Sequence, residues 1–347
     1  MPKELIQRNA IFIKKLKNNS LNRIWIGTLC LIIPLLGILH LFIGEIHISF
    51  PEFLDSIFNY SQHETSHILI WEFRIPRLII ALIAGASLAV SGLIMQTLFN
   101  NPLAGPSILG INSGASFFIG LLILSGIYFF NTDIGITISA LMGSFLFGML
   151  MLACSLFVRS NISLLLIGIM ISSFIGALIN LMQSYAEAEK LKTFFIWSMG
   201  SLQQVQLDQL GWIIGVTLIG LLSSFLLVKP LNALVLGEKN ASLLGINIQS
   251  FRVQCIAITA ILCGTVTAFC GPIAFVGLAI PNLSKIIFKT QNHKYLILTN
   301  ILLGSTFILI CDIIIRLLES SILIPINVLT SIIGAPFVIY LVVKKRS

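Results

Sequence analysis

Two arginines bracket a proline in the stretch FRIPR, Arg74 and Arg77, just ahead of an apolar run that begins at Leu78. A third, Arg316, closes the stretch CDIIIR near the end of another apolar run. A guanidinium presents a planar fork that pairs with carboxylates bidentately. One reading gives such forks at the borders of apolar segments a use beyond anchoring in the membrane. The plainer alternative is snorkelling, in which the apolar stem covers lipid-facing surface and the charged head reaches water. Positive charge at the start of a helix also opposes its macrodipole, so the FRIPR cations need a compensating use. Asp312 and Glu319 lie about a helical turn from Arg316 and offer it a local pair instead.

Other chemistries are excluded by what is missing. There is no G-x-x-x-x-G-K-[ST] phosphate loop, so ATP hydrolysis is not expected of this chain. No nucleophile, base and metal-ligand set converges in the sequence, and no catalytic residue or metal site is assigned. His40 falls near one end of an apolar run, where an interfacial position is expected, and His47, His63, His67 and His293 fall between runs. No charged residue is expected deep in a span, which argues against a proton- or sodium-coupled carrier. Cys30, Cys154, Cys255, Cys263, Cys270 and Cys311 all lie in apolar runs, without zinc-type spacing, and read as free thiols acting as small hydrophobes.

The elements that must position these groups follow from composition. The 347-residue chain is 57% hydrophobic and 10% charged, against roughly 25% charged in a soluble domain. It is an all-α, polytopic membrane protein. Apolar runs at 25–43, 78–98, 106–130, 135–157, 162–185, 209–228, 294–315 and 322–343 each suit a span. The stretch 253–288 is too long for one, and Gly271–Pro272 divides it into 253–270 and 273–288. Ten spans result, forming one domain over 25–345 behind a basic cytoplasmic segment 1–24. Alternating sides from a cytoplasmic N-terminus puts 16 of 21 Lys and Arg inside and 11 of 13 acids outside, with both termini cytoplasmic. The net charge of +8 is thus an orientation signal, and nucleic acid is not an expected partner.

One inner connection is long, KPLNALVLGEKNASLLGINIQSFR at 229–252. Its apolar positions face water in this topology. The spacing predicts a short helix over Glu238–Leu244 stopped by Gly245, with a second short turn before Arg252. An exposed apolar patch on a solvated loop marks a partner site, the alternative being a loop folded back on the membrane surface.

The stretches RIPRLIIALIAGASLAVSGLIMQTLFNNPLAGPSILGINSGA, WSMGSL, LGEKNASLLGINIQSFR, GPIAFVGLAIPNLSK and IPINVLTSIIGAPFVIYLVVKK occur in this order. Together they resemble the permease subunits of type II ATP-binding-cassette importers for ferric siderophores, haem and cobalamin. The resemblance covers about Trp25 to Lys345. One departure is Pro281–Asn282, where the family usually has Pro-His.

The resemblance implies the rest. The chain would be the permease of an importer in the inner or cytoplasmic membrane of a bacterium, embedded in lipid. It would pair with a second copy of itself and with two ATPase subunits, which use ATP and Mg, while binding no cofactor of its own. A soluble substrate-binding protein would deliver a metal chelate, taken as a ferric siderophore because the family is mostly that, docking acidic lobes on Arg74, Arg77 and Arg316. Leu236, Gly237, Glu238, Ala241, Leu243, Leu244 and Gly245 would form the coupling segment against the ATPase. Asn161 and Ile162 would lie at a cytoplasmic narrowing. Ser172 and Ser173, like Ser91, Gln96, Asn112 and Asn180, either line the pathway or bond helix to helix. Gly85, Gly92, Gly110 and Gly114 are expected where helices pack closely. The rival reading is a secondary transporter or channel that works alone.

Overall fold

The computed structural model describes residues 2–344 apart from 45, 47, 62, 125–132, 159 and 319–323. His47, Arg159, Glu319, Lys345 and Arg346 lie outside the described residues, as do the side chains of the basic segment through residue 21. All regular structure among the described residues is helical. The helices are α1 (Pro2–Phe42), α2 (Phe50–Phe58), α3 (Thr65–Leu98), α4 (Ile111–Leu124), α5 (Asp133–Phe157), α6 (Asn161–Tyr185) and α7 (Ala188–Ser198). They continue as α8 (Leu207–Leu226), α9 (Val228–Leu234), α10 (Glu238–Leu243), α11 (Ile248–Cys270), α12 (Val276–Phe288), α13 (His293–Leu318) and α14 (Ile326–Lys344).

Seven of these are long and apolar enough to cross a membrane, within α1, α3, α5, α6, α8, α11 and α13. Three shorter apolar helices, α4, α12 and α14, account for the remaining expected spans. The expected break at Gly271–Pro272 is present, because α11 ends at Cys270 and α12 starts only at Val276. The span expected at 106–130 starts later than expected, since a 3₁₀ turn occupies Pro106–Leu109 and the helix starts at Ile111, and its positions 125–130 lie outside the described residues.

The helix behind FRIPR differs most from expectation. It does not start at Leu78 but runs continuously from Thr65 to Leu98, so Arg74 and Arg77 are interior to it and the macrodipole objection does not apply. Proline inside a helix removes a donor and clashes with the carbonyl four residues back. Pro76 is accommodated because Leu69–Arg74 widens into a π turn, in which the Ile75 N–H reaches the Ile70 carbonyl.

α3 is the centre of the fold. Of its most apolar window 78% is buried, against 17% for α1 and 22% for α6, which leaves those two at the periphery. Its closest crossings are glycine on glycine, as expected for Gly85 and Gly92. A Cβ on Gly85 would stand 2.1 Å from the Gly304 carbonyl oxygen, and one on Gly92 would stand 1.8 Å from that of Gly277. Gly114 meets Gly143 in the same way. Gly110 differs: it is a left-handed turn residue at φ 72°, after the 3₁₀ turn. Gly92→Ala is expected to force α3 and α12 apart and lower stability by about 1–3 kcal/mol. A thermal midpoint equal to wild type in detergent would show that the crossing can relax.

The polar ends of α3 and α13 give the molecule two faces. Arg74 and Arg77 on α3 meet Arg316 on α13, while Thr97 at the far end of α3 meets His293 at the start of α13. The charge distribution names the first face outer and the second inner. If so, Glu189→Cys in a cysteine-free background is labelled by an impermeant reagent in sealed cells and Asn240→Cys is not. Both positions are exposed, so labelling at 240 would invert the assignment.

Candidate functional site

The outer face carries the three arginines, and none is a free surface charge. Arg74, Arg77 and Arg316 are 4%, 8% and 7% exposed. Arg77 donates from Nε to Asp312 Oδ2 and from Nη2 to Asp312 Oδ1, both at 2.9 Å. His40, fully buried, completes the group. Its Nε2 lies 2.6 Å from Asp312 Oδ2, and Arg316 Nη1 lies 3.2 Å from its Nδ1. An arginine can only donate, so Nδ1 accepts and the ring proton sits on Nε2, aimed at the carboxylate. The arginines also close the end of α1. Arg74 donates to the carbonyls of Leu41 and Ile46, and Arg316 to that of His40 at 2.6 Å. Last-turn carbonyls have no partner inside their own helix and sit at its negative pole, so guanidiniums suit them.

Three expectations are corrected by this geometry. His40 is internal rather than interfacial. A charged residue does lie within a span: Asp312, 1% exposed, six residues before the end of α13. Asp312 serves Arg77 and His40 rather than holding Arg316 in a local pair. Beside it, Arg77 and Asp312 border an outer cavity of about 580 Å³, with Met199, Gln203, Gln204 and Pro325 among its walls.

A second outer group, Asp55, Glu64 and His67, has the residue types of a metal site. The His67 Nε2 atom stands 3.0 Å from Glu64 Oε2 and 3.4 Å from Asp55 Oδ2. However, the Ser61 N–H donates to His67 Nδ1 at 3.0 Å, so the ring's proton is on Nε2, where a metal would need a lone pair. The two carboxylates stand at ion-pair distance from Nε2 without a hydrogen bond from it, and the trio sets α2 beside the start of α3. His67 is thus a buried helix residue rather than a loop one, and His293 likewise begins α13.

The inner face carries the segment around α10. Gly237 at φ 97° lets the chain turn into the helix, which runs over Glu238–Leu243 and stops at Gly245, φ 83°, as its sequence predicts. No second turn follows; Asn247 caps α11 directly, its side chain accepting from the N–H groups of Gln249 and Ser250. Ala241 is fully buried and seats the helix, while Leu236, Leu243 and Leu244 are 62%, 85% and 64% exposed. A run of bare leucines on a short, internally seated helix is a ready contact surface.

Asn161 and Ile162 begin α6 close to that segment. The Asn161 amide donates to the Leu98 carbonyl at 2.8 Å and to the Glu238 carboxylate; Ile162 is 71% exposed. Further along α6, Ser173 donates to its own helix at Ile169, and the half-buried Ser172 hydroxyl has no hydrogen-bond partner. Asn180 is exposed on the same helix. The remaining polar candidates bond helix to helix or within a helix. Asn112 accepts from Thr267 at 3.0 Å, Gln96 donates to Leu278 and accepts from Lys285, each at 3.1 Å, and Ser91 donates to Ser87. Asn282, at the family's histidine position, donates to the Pro102 carbonyl at 2.9 Å and fastens the NNPLAGP turn. The six cysteines are free thiols, four of them buried. The Asp312 cluster and the Glu238–Asn161 contact escaped sequence reading because each joins residues far apart in the chain.

Comparison with known proteins places this architecture. The chain is 32% identical to the hemin transport system permease protein HmuU of Yersinia pestis, covering 93% of this chain and 96% of that one. It is 31% identical to the iron-uptake system permease protein FeuB of Bacillus subtilis, over 90% and 92% of the two chains. It is 32% identical to the vitamin B12 import system permease protein BtuC of Vibrio parahaemolyticus, over 91% and 92%. A solved inward-facing ABC transporter, described as of the metal-chelate type, superposes with a TM-score of 0.81 at 32% identity, covering 92% of this chain and 98% of that chain. Residues 30–344 match the FecCD transport family, and with full-length relatives on the same helical frame the chain belongs to that family.

Proposed function

We propose that this chain is the permease subunit of an ATP-binding-cassette importer that passes a bulky metal chelate across the cytoplasmic membrane of a bacterium. The observation that carries the reading is the α10 segment, in which Leu236 ahead of the helix and Leu243 at its end are bare at the inner face while Ala241 anchors it. A carrier working alone has no use for such a surface. Asp312, a buried carboxylate within α13, is engaged by Arg77 and His40 and is not poised to carry ions. Two ATPase subunits and a second permease copy complete the transporter, and the exposed face of α6, from Ile162 through Ser173 to Asn180, lines the pathway beside that copy. The cargo is a ferric siderophore, in keeping with iron-named relatives. At the outer face three arginines against the one carboxylate of Asp312 leave positive charge in excess, and its field steers the acidic lobes of a binding protein. ATP-driven movement of the ATPase acts on α10 and opens the path alternately to each side.

The test is purification with the neighbouring ATPase and binding protein, followed by uptake into proteoliposomes. Retention of the ATPase and ATP-dependent entry of ferric siderophore are the expected results. Preferential entry of haem or cobalamin would revise the cargo. Transport without any ATPase would sink the reading altogether.

A further inference from the structure

Glu238 opens the coupling helix, yet its carboxylate turns back into the permease. Asn161 Nδ2 donates to it from the first turn of α6, and also to the Leu98 carbonyl at the end of α3, at 2.8 Å. Both neighbours are acceptors, so the amide nitrogen is the atom that faces them, and its two hydrogens suffice for one bond each. Behind this contact Arg252, 3% exposed on α11, donates to the Val158 carbonyl at 2.6 Å and holds a nitrogen 4.0 Å from Glu238. Gln249 donates to the Leu156 carbonyl at 2.8 Å. The segment that leads into and out of α10 is therefore tied to Leu156, Val158 and Asn161, and through Asn161 to α3.

The ties matter because packing is sparse there. α10 packs on α9 and α11. Between α10, the end of α3 and the start of α6 lies a cavity of about 590 Å³, bordered by Leu98, Asn100, Ile162, Gly237 and Glu238. Apolar side chains transmit force only where they touch. Across a void, a push or pull on α10 reaches α6 and α3 through the polar bridge. We propose that Glu238 and Asn161 form a latch that converts displacement of the coupling helix into movement of the inner ends of α6 and α3. On this assignment Glu238 is a positioning residue acting inside the permease, distinct from the leucines that meet the ATPase. The inference rests on the permease reading above.

The experiment uses the complete transporter in proteoliposomes and compares Glu238→Ala, Glu238→Gln, Asn161→Ala and the double alanine variant. Glu238 is about half exposed, so its substitution is not expected to unfold the permease; ATPase stoichiometry is measured in every variant, and a Glu238 variant that sheds the ATPase would place the residue in the docking surface and overturn the latch. Uptake per ATP hydrolysed is expected to fall at least about fivefold in either single alanine variant. The double variant should be no worse than the singles, since either change already opens the one contact. Glu238→Gln keeps an acceptor oxygen for the Asn161 amide and should preserve most of the coupling, which a merely structural loss of Glu238 would not predict. Unchanged uptake per ATP in both alanine variants, or additive losses in the double, would overturn the latch while leaving the permease reading standing. Loss of the ATPase from the wild-type complex would overturn both.

Discussion

Arg77→Ala is expected to destabilise the permease by about 3–5 kcal/mol, the cost of breaking a buried ion pair and stranding one partner. The partner is Asp312, 1% exposed and held by two parallel bonds from Arg77. Without them its buried carboxylate keeps the His40 proton in place of a paired charge. The damage should spread, because His40 also accepts from Arg316, which fastens the last turn of α1. The measurement is the thermal midpoint in detergent together with the yield of monodisperse protein. A second variant separates charge from shape. Arg77→Met with Asp312→Asn removes both charges, keeps the volume, and leaves an amide oxygen for His40. Replacing both members of a buried pair is often close to neutral, so most of the lost stability should return. Wild-type stability in Arg77→Ala would mean that the pair contributes nothing net. Charge reversal at Arg77 is consequently a poor probe of partner docking, since it would place two carboxylates side by side in the interior.

Leu243→Asp is expected to abolish uptake while leaving the permease folded. Leu243 is 85% exposed, so the change disturbs nothing within the chain. In a complex the same position would be covered. Burying a leucine is worth about 1.5–3 kcal/mol, and an unpaired carboxylate in its place adds a desolvation cost of several more. A loss of this size lowers affinity by more than about 100-fold. The ATPase should therefore be missing from the purified complex, with the permease's thermal midpoint unchanged. Wild-type ATPase stoichiometry with continued uptake would remove α10 from the interface. This result differs in kind from the latch variants, which keep the ATPase and waste its work.

Much of the architecture was legible in the linear chain because its causes are local. Apolar run length marks spans, and Gly271–Pro272 breaks a stretch too long for one helix. Gly245 stops α10 because a residue at positive φ is needed there, and glycine adopts it without strain. The start of α3 was misplaced for a local reason as well: Pro76 and two arginines look like a boundary, while the π turn that absorbs the proline leaves no mark in residue types.

The chemistry of the three arginines was decided only by the tertiary structure. A guanidinium at the edge of an apolar run reads the same whether it faces a partner protein, lipid headgroups or its own fold. Arg77 and Asp312 are 235 positions apart, and His40 and Asp312 are 272 apart. No periodicity within one helix encodes which helix will lie beside it. Once α1, α3 and α13 pack, an uncompensated charge at their junction would be costly, and the groups that meet there must satisfy one another. The same holds at the inner face, where Glu238 and Asn161 meet only because α10 folds back beneath α6.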